Sequence, residues 1–207
     1  MLQSDPETFE ITLVYFVANS APARLLLGKP KHNSTLSMLR LEIDGNLKLY
    51  TYNDKADGHA WEVTFNVFSR DSDWANECQL PEKCGEFGVC DNNLCVACPS
   101  EEGELLEWSK ECEARKVNSC DVKDFHFYKL EGVDHFMSKY NSGSGVMKVD
   151  KCGKKCSRDC KCLGYFYHKE TSKCWIAYDL MTLSKFPNST HLGYIKVPNK
   201  KLIQTSS

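Results

Sequence analysis

A mainly β chain carrying a small α+β module is what this sequence predicts, on three observations. Apolar and polar residues alternate with strand period through much of residues 36–68. All twelve cysteines fall between Cys78 and Cys174, a density that marks a disulfide scaffold. Near the end, cysteines and basic residues at helical spacing read as one short helix among strands.

The β part comes first. Leu39, Leu41 and Ile43 alternate with Met38, Arg40 and Glu42, and Asp44-Gly45 turns the chain. Leu47, Leu49 and Thr51 then alternate with Lys48 and Tyr50, which completes a hairpin pattern. Trp61 to Phe68 adds a strand with its odd positions apolar, and residues 9–18 are rich in β-branched and aromatic side chains. Turns are expected at Gly28 to Pro30 and Asn53 to Gly58. Residues 1–75 therefore read as an antiparallel β domain.

Five cysteines crowd the 21 residues from Cys78 to Cys98. So short a stretch is not expected to bury a core of its own, which leaves covalent closure or a metal to order it. Zinc is the rival to disulfides, because Cys95-x2-Cys98 and Cys160-x-Cys162 look like ligand pairs. The matching second knuckle is missing, however, and the six histidines are scattered with no H-x3-5-H spacing. Two sequons, Asn33-Ser34-Thr35 and Asn188-Ser189-Thr190, favour the oxidising secretory route. Disulfides throughout, and no metal or other cofactor, are the expectation.

Charge is divided along the chain. Residues 1–119 carry 11 Lys+Arg against 20 Asp+Glu, and residues 120–207 carry 15 against 8. An acidic first half and a basic second half point to modules meeting different surroundings. The longest apolar run, Ile11 to Ala18, is far short of the roughly 20 residues of a membrane span. Asp5, Glu7 and Glu10 stand where a signal peptide carries positive charge. The C-terminal part of a longer secreted precursor is the expectation that reconciles this with the cysteines.

Asp150 to Cys160 reads as the helix, with Asp150 as N-cap. At 100° per residue Cys152, Cys156 and Cys160 form one stripe. Lys151, Lys154, Lys155 and Arg158 form a second stripe on nearly the opposite side, with Lys148 and Lys161 close by. Strands are expected at Phe125 to Leu130, Cys162 to Tyr167, Lys173 to Asp179 and His191 to Val197.

The segment LRLEIDGNLKLYTY, then AWEVTF, then C-x5-C-G-x2-G-x-C, resembles plant S-locus glycoproteins. It is closer to the secreted epidermis-specific glycoproteins with a bulb-type lectin. The resemblance runs from about residue 36 to residue 197. It implies a truncated bulb-type lectin (β-prism-like) domain at 1–75, an EGF-like segment at 76–116 and a PAN/apple domain at 117–198, with a disordered tail at 199–207. For the EGF-like segment it implies the pairs Cys78–Cys90, Cys84–Cys95 and Cys98–Cys112. Two residues, Val96 and Ala97, separate Cys95 from Cys98 where such modules usually have one. Spacing C-x3-C-x3-C-x-C-x11-C followed by WIAYDL resembles the PAN/apple module, a helix laid on an antiparallel sheet. That implies Cys152–Cys174 and Cys156–Cys162, with Cys120 and Cys160 the pair remaining. Gly85 and Gly88 suit tight turns, and no calcium is expected despite Asp71 and Asp73.

Catalysis finds no support: there is no G-x-S-x-G elbow, H-E-x-x-H or kinase signature, and a paired cysteine is no nucleophile. Glu101, Glu102, Glu104 and Glu107 read as a solvated run. The family's mannose site has the pattern Q-x-D-x-N-x-V-x-Y on one strand. Asp44, Asn46 and Tyr50 match it, while Glu42 replaces the amide and Lys48 the apolar contact. Asp44-Gly45-Asn46 also reads as a simple hairpin turn, and that is the favoured reading. The basic stripe Lys151, Lys154, Lys155 and Arg158 is a candidate polyanion site, with an ordinary solvated helix face as its alternative. Phe125, Phe127, Tyr165 and Tyr167 are candidates for a protein interface or for core. The function implied is a secreted, N-glycosylated, non-enzymatic glycoprotein acting outside the cell or in the cell wall. It would bind carbohydrate, mannose-type or acidic wall polysaccharide. The alternative is a receptor-ectodomain-like protein-interaction module using the PAN/apple domain. Nucleic acid is excluded as a partner for an exported, disulfide-bonded chain.

Overall fold

The computed structural model of the chain describes residues 2–4, 11–15, 21–28, 36–53, 60–69, 75–115, 117, 119 and 121–199. The sequon at Asn33, Cys120 and residues 200–207 of the expected tail lie outside the described residues. The chain is mostly β and divides into two compact units, Met1–Asn76 and Glu77–Ser207.

In the first unit β1 (Leu2–Ser4), β2 (Ile11–Tyr15) and β3 (Ala23–Gly28) form one antiparallel sheet. β4 (Ser37–Leu41), β5 (Leu47–Asn53) and β6 (Ala60–Asn66) form another. The alternation rule misses β3, because Leu25-Leu26-Leu27 offers no polar partner position. β4 and β5 pair as a hairpin with Leu39 opposite Leu49, and Leu49 is fully buried. On the other face Met38, Tyr50 and Val63 lie side by side, and Met38 and Val63 remain exposed.

The second unit stacks three layers. β10 (Phe125–Glu131), β12 (Gly164–His168), β13 (Lys173–Ala177) and β15 (His191–Pro198) make an antiparallel sheet in the order β10-β15-β12-β13. Period-two alternation sends Phe127, Tyr165, Tyr167, Cys174, Ile176 and Leu192 to one face, where they pack with Cys152, Cys156 and Cys162. The intervening residues Tyr128, Leu130, Phe166, Trp175, Ile195 and Val197 go to the other face. There they meet a second sheet of β11 (Val133–His135), β14 (Leu183–Lys185), β7 (Val89–Asp91), β8 (Leu94–Pro99) and β9 (Leu105–Glu107).

That second sheet corrects the expectation that covalent closure or a metal alone orders the cysteine-rich stretch. β14 pairs in parallel with β7, and Phe87, Val89 and Ala97 are buried in the same cluster as Leu130, Phe166 and Trp175. Cys84 N–H donates to Thr182 Oγ1 at 2.8 Å, and Ser184 Oγ donates to the Cys78 carbonyl at 3.2 Å. The stretch borrows its apolar partners from residues that arrive much later in the chain. Cys78 is bonded to Cys90, Cys84 to Cys95, Cys98 to Cys112, Cys152 to Cys174 and Cys156 to Cys162. Cys160 is also disulfide-bonded.

The tightest approach lies at Gly88. A β-carbon there would fall 2.2 Å from the Cys84 carbonyl oxygen and 2.7 Å from Cys84 Cβ. Gly88→Ala is expected to cost about 2–3 kcal/mol of unfolding free energy. An unchanged denaturant midpoint would contradict this.

The helix, α1 (Val149–Ser157), is shorter than expected. Lys148, not Asp150, occupies the N-cap and makes no side-chain cap. Asp150 falls in the first turn, where a carboxylate still meets the positive end of the helix dipole. Cys152 and Cys156, one turn apart, are fully buried. The helix stops at the Arg158 C-cap, so Cys160 leaves the expected stripe and is exposed.

Candidate functional site

Because Cys152 and Cys156 anchor α1 face-down on the sheet, Lys151, Lys154, Lys155 and Arg158 are held outward and exposed. Lys148 and Lys161, just beyond the two ends, are exposed as well. None of the six forms an ion pair with a described residue, so their charge is presented to solvent. The four helical cations span about 10 Å of axis.

The lectin-like stretch is divided between a turn and a strand. Gly45 N–H donates to the Glu42 carbonyl at 3.0 Å, and Asn46 N–H donates to Asp44 Oδ1 at 2.8 Å. The buried Asn46 side chain donates to the Phe68 carbonyl at 2.8 Å and accepts from Phe68 N–H at 3.1 Å. Tyr50 donates its hydroxyl to Glu42, and that bond raises its pKa. Asp44 and Tyr50 are thus employed in closing the hairpin and Asn46 in tying it to Phe68, and only Lys48 and Tyr50 of the five patterned residues stand on β5.

Three of the four aromatics named as interface candidates are core. Phe125, Tyr165 and Tyr167 are buried, and Tyr165 packs edge-on to Phe127 and stacks on Tyr194. Asn188 is exposed, and Thr190 Oγ1 donates to its Oδ1 at 2.8 Å. The glutamate run is partly organised: Glu101 pairs with Arg115 at 2.9 Å, and Glu107 lies on β9.

Glu82, Arg115, Leu163, Leu180, Met181 and Lys196 help line a cavity in the second unit. Lys196 is 3% exposed; its Nζ has no hydrogen-bond partner and sits 4.1 Å from the centre of the Phe125 ring. Burying a cation against one ring recovers only part of its hydration. Lys196→Met is therefore expected to raise the unfolding free energy by about 1 kcal/mol. A fall in thermal midpoint would show instead that the contact with the ring outweighs desolvation.

Sequence reasoning missed one constellation altogether. His168 and His191 are direct cross-strand partners on β12 and β15, with rings stacked at 3.8 Å. Asp134 on β11 reaches both: its Oδ2 lies 2.9 Å from His168 Nε2 and 3.2 Å from His191 Nδ1. Ser138 Oγ donates to the same oxygen at 2.6 Å, and His135 N–H donates to Oδ1 at 2.8 Å. Burial alone pushes the Asp134 carboxyl up, but hydrogen bonds from His168 and Ser138, with the His191 ring close by, more than offset it. The net result holds it well below the usual carboxylate range, so it is charged. Gly132, at φ +66°, turns the chain between β10 and β11 and brings Asp134 to the histidines. The sequence-level trace is slight: an acid and a histidine beside one valine in a three-residue strand, Val133-Asp134-His135, which buries all three.

No family model matches the chain. Curated proteins do. EP1-like glycoprotein 3 of Arabidopsis thaliana is 48% identical over 174 residues, which is 84% of this chain and 39% of that protein. The epidermis-specific secreted glycoprotein EP1 of Daucus carota is 48% identical over 136 residues, 60% of this chain and 35% of that protein. The homologues of this chain thus include EP1-like glycoproteins. That matches the family which the hairpin and cysteine motifs resemble. A PAN domain-containing protein of Arabidopsis thaliana is more distant, 25% identical over 164 residues, 78% of this chain and 32% of that protein. The chain spans about 39% of the length of the EP1-like glycoproteins it matches. Among the described residues no helix is long and apolar enough to cross a membrane.

Proposed function

We propose that this chain is part of a secreted, non-enzymatic recognition glycoprotein that binds acidic wall polysaccharide through the exposed face of α1. The observation that carries this reading is the unpaired cationic stripe of Lys151, Lys154, Lys155 and Arg158, held outward by two disulfide-bonded cysteines on the opposite side of the helix. A polyuronate presents carboxylates in series, and a rigid row of cations gains from each without ordering a loop. Mannose-type binding at Asp44, Asn46 and Tyr50 is disfavoured, because those side chains already have partners within the first unit. The reading includes a partial bulb-type lectin-like domain at 1–75, an EGF-like segment at 76–116 and a PAN/apple domain at 117–198. It includes glycans at Asn33 and Asn188 and an extracellular location, in keeping with the name of the carrot relative.

Retention on immobilised polygalacturonate, eluted by salt, tests it. The native chain is expected to bind at low ionic strength, and Lys154→Glu with Lys155→Glu to pass through unretained, since exposed charge is screened over about 10 Å at 0.1 M. Equal retention of both proteins, or preferential retention on neutral mannan, sinks the reading. A second reading, protein recognition, draws on the sheet of β4, β5 and β6, where Met38, Trp61 and Val63 are exposed. Binding to a protein partner that persists in high salt and in the double variant would favour it.

A further inference from the structure

From the geometry of the second unit we infer that Asp134, His168 and His191 form a binding site for one divalent transition-metal ion of the zinc class. Their three ligand atoms, Asp134 Oδ2, His168 Nε2 and His191 Nδ1, lie within 4.8 Å of one another. Tetrahedral zinc with bonds of about 2.0–2.1 Å places neighbouring donors about 3.3 Å apart. The oxygen-to-nitrogen distances of 2.9 and 3.2 Å need only small adjustment to reach that spacing.

Hydrogen bonding alone leaves the constellation unsatisfied. Asp134 Oδ1 already accepts from His135 N–H, and Oδ2 from Ser138. The remaining capacity of Oδ2 is taken by His168 Nε2, which has hydrogen-bond geometry. His191 Nδ1 is only 3.2 Å from that oxygen, yet it is buried without a hydrogen bond. A cation among the three atoms satisfies that nitrogen and the carboxylate together.

The surroundings are those of a supported ligand set. Trp175 packs on the His168 ring at 4.4 Å and Phe186 on the His191 ring at 4.3 Å, so both imidazoles are oriented from outside. Ser138 and the His135 amide orient the carboxylate, the role that outer partners play around metal ligands. The His168 and His191 side chains are 15% and 18% exposed, so an ion can enter, and water can complete the coordination. On binding, each neutral ring keeps its proton on its other nitrogen, His168 Nδ1 and His191 Nε2. A ring that was protonated on both nitrogens releases one proton to solvent.

The test uses the full chain, stripped with chelator and dialysed against Zn2+ or Co2+ at neutral pH. One ion per chain is expected, with the Co2+ form showing the intense visible absorption of four-coordinate nitrogen and oxygen ligation. His168→Gln and His191→Gln are each expected to weaken binding at least 10-fold, and Ser138→Ala about 10-fold. Absence of stoichiometric metal from the native chain overturns the inference, and so does binding by both histidine variants as tight as that of the native chain. If the variants fail to fold, the Co2+ spectrum of the native chain decides, and a weak six-coordinate spectrum overturns it.

Discussion

Replacing Cys152 and Cys174 together by alanine is expected to lower the unfolding free energy of the second unit by about 3 kcal/mol or more. This bridge closes the longest loop among the described disulfides, with a sequence separation of 22, and removing a cross-link of that span releases denatured-chain entropy worth about 3 kcal/mol. The sulfurs also fill the layer between helix and sheet, where both cysteines are fully buried, so lost packing adds to the cost. Breaking Cys156–Cys162, with a separation of only 6, is expected to cost less, about 2 kcal/mol. Guanidinium unfolding of both double variants checks the order. Loss of the first bridge should also weaken retention on polygalacturonate, because α1 would no longer be held with its cations outward. Equal midpoints for the native chain and the Cys152–Cys174 variant would show that apolar contacts alone seat the helix.

The second large effect is expected at Asp134. In chelator-treated protein, Asp134→Ala is expected to cost about 3 kcal/mol at neutral pH, since it strips a charged acceptor from Ser138, His168 and the His135 amide. The effect carries a pH signature. The folded carboxyl is held below its unfolded value, so its contribution is fully present above about pH 4 and is lost as acid approaches the folded value. His135 acts in the same direction from a higher starting point. Burial depresses its pKa against hydrogen bonds and charges that raise it, so the unfolded chain takes up that proton first as pH falls below about 6.5. Denaturant midpoints measured from pH 7 to pH 3 should therefore fall in the native chain, and more gently below pH 4 in Asp134→Ala. Parallel curves below pH 4 would rule out the buried carboxylate as the source of acid sensitivity.

Wherever a pattern is local, it could be read directly. The hairpin of β4 and β5 follows from a two-residue period and an Asp-Gly turn, and the outward cations of α1 follow from helical spacing against Cys152 and Cys156. Cys160 did not follow, because nothing in the spacing shows where the helix ends and Arg158 caps it. The aromatics of β10 and β12 alternate correctly, but alternation does not say that both faces of that sheet are covered.

What the chain alone determined was its class: strands from period-two alternation, a short cationic helix, and an order that depends on cysteine. Only the folded unit decided that the cysteine-rich stretch shares a core with strands added far downstream, since β14 joins β7 through contacts nearly a hundred residues apart. It likewise decided that Asp134, His168 and His191 converge. Such meetings depend on strand register and on one turn at Gly132, and register is a property of pairing between segments that neither segment carries by itself.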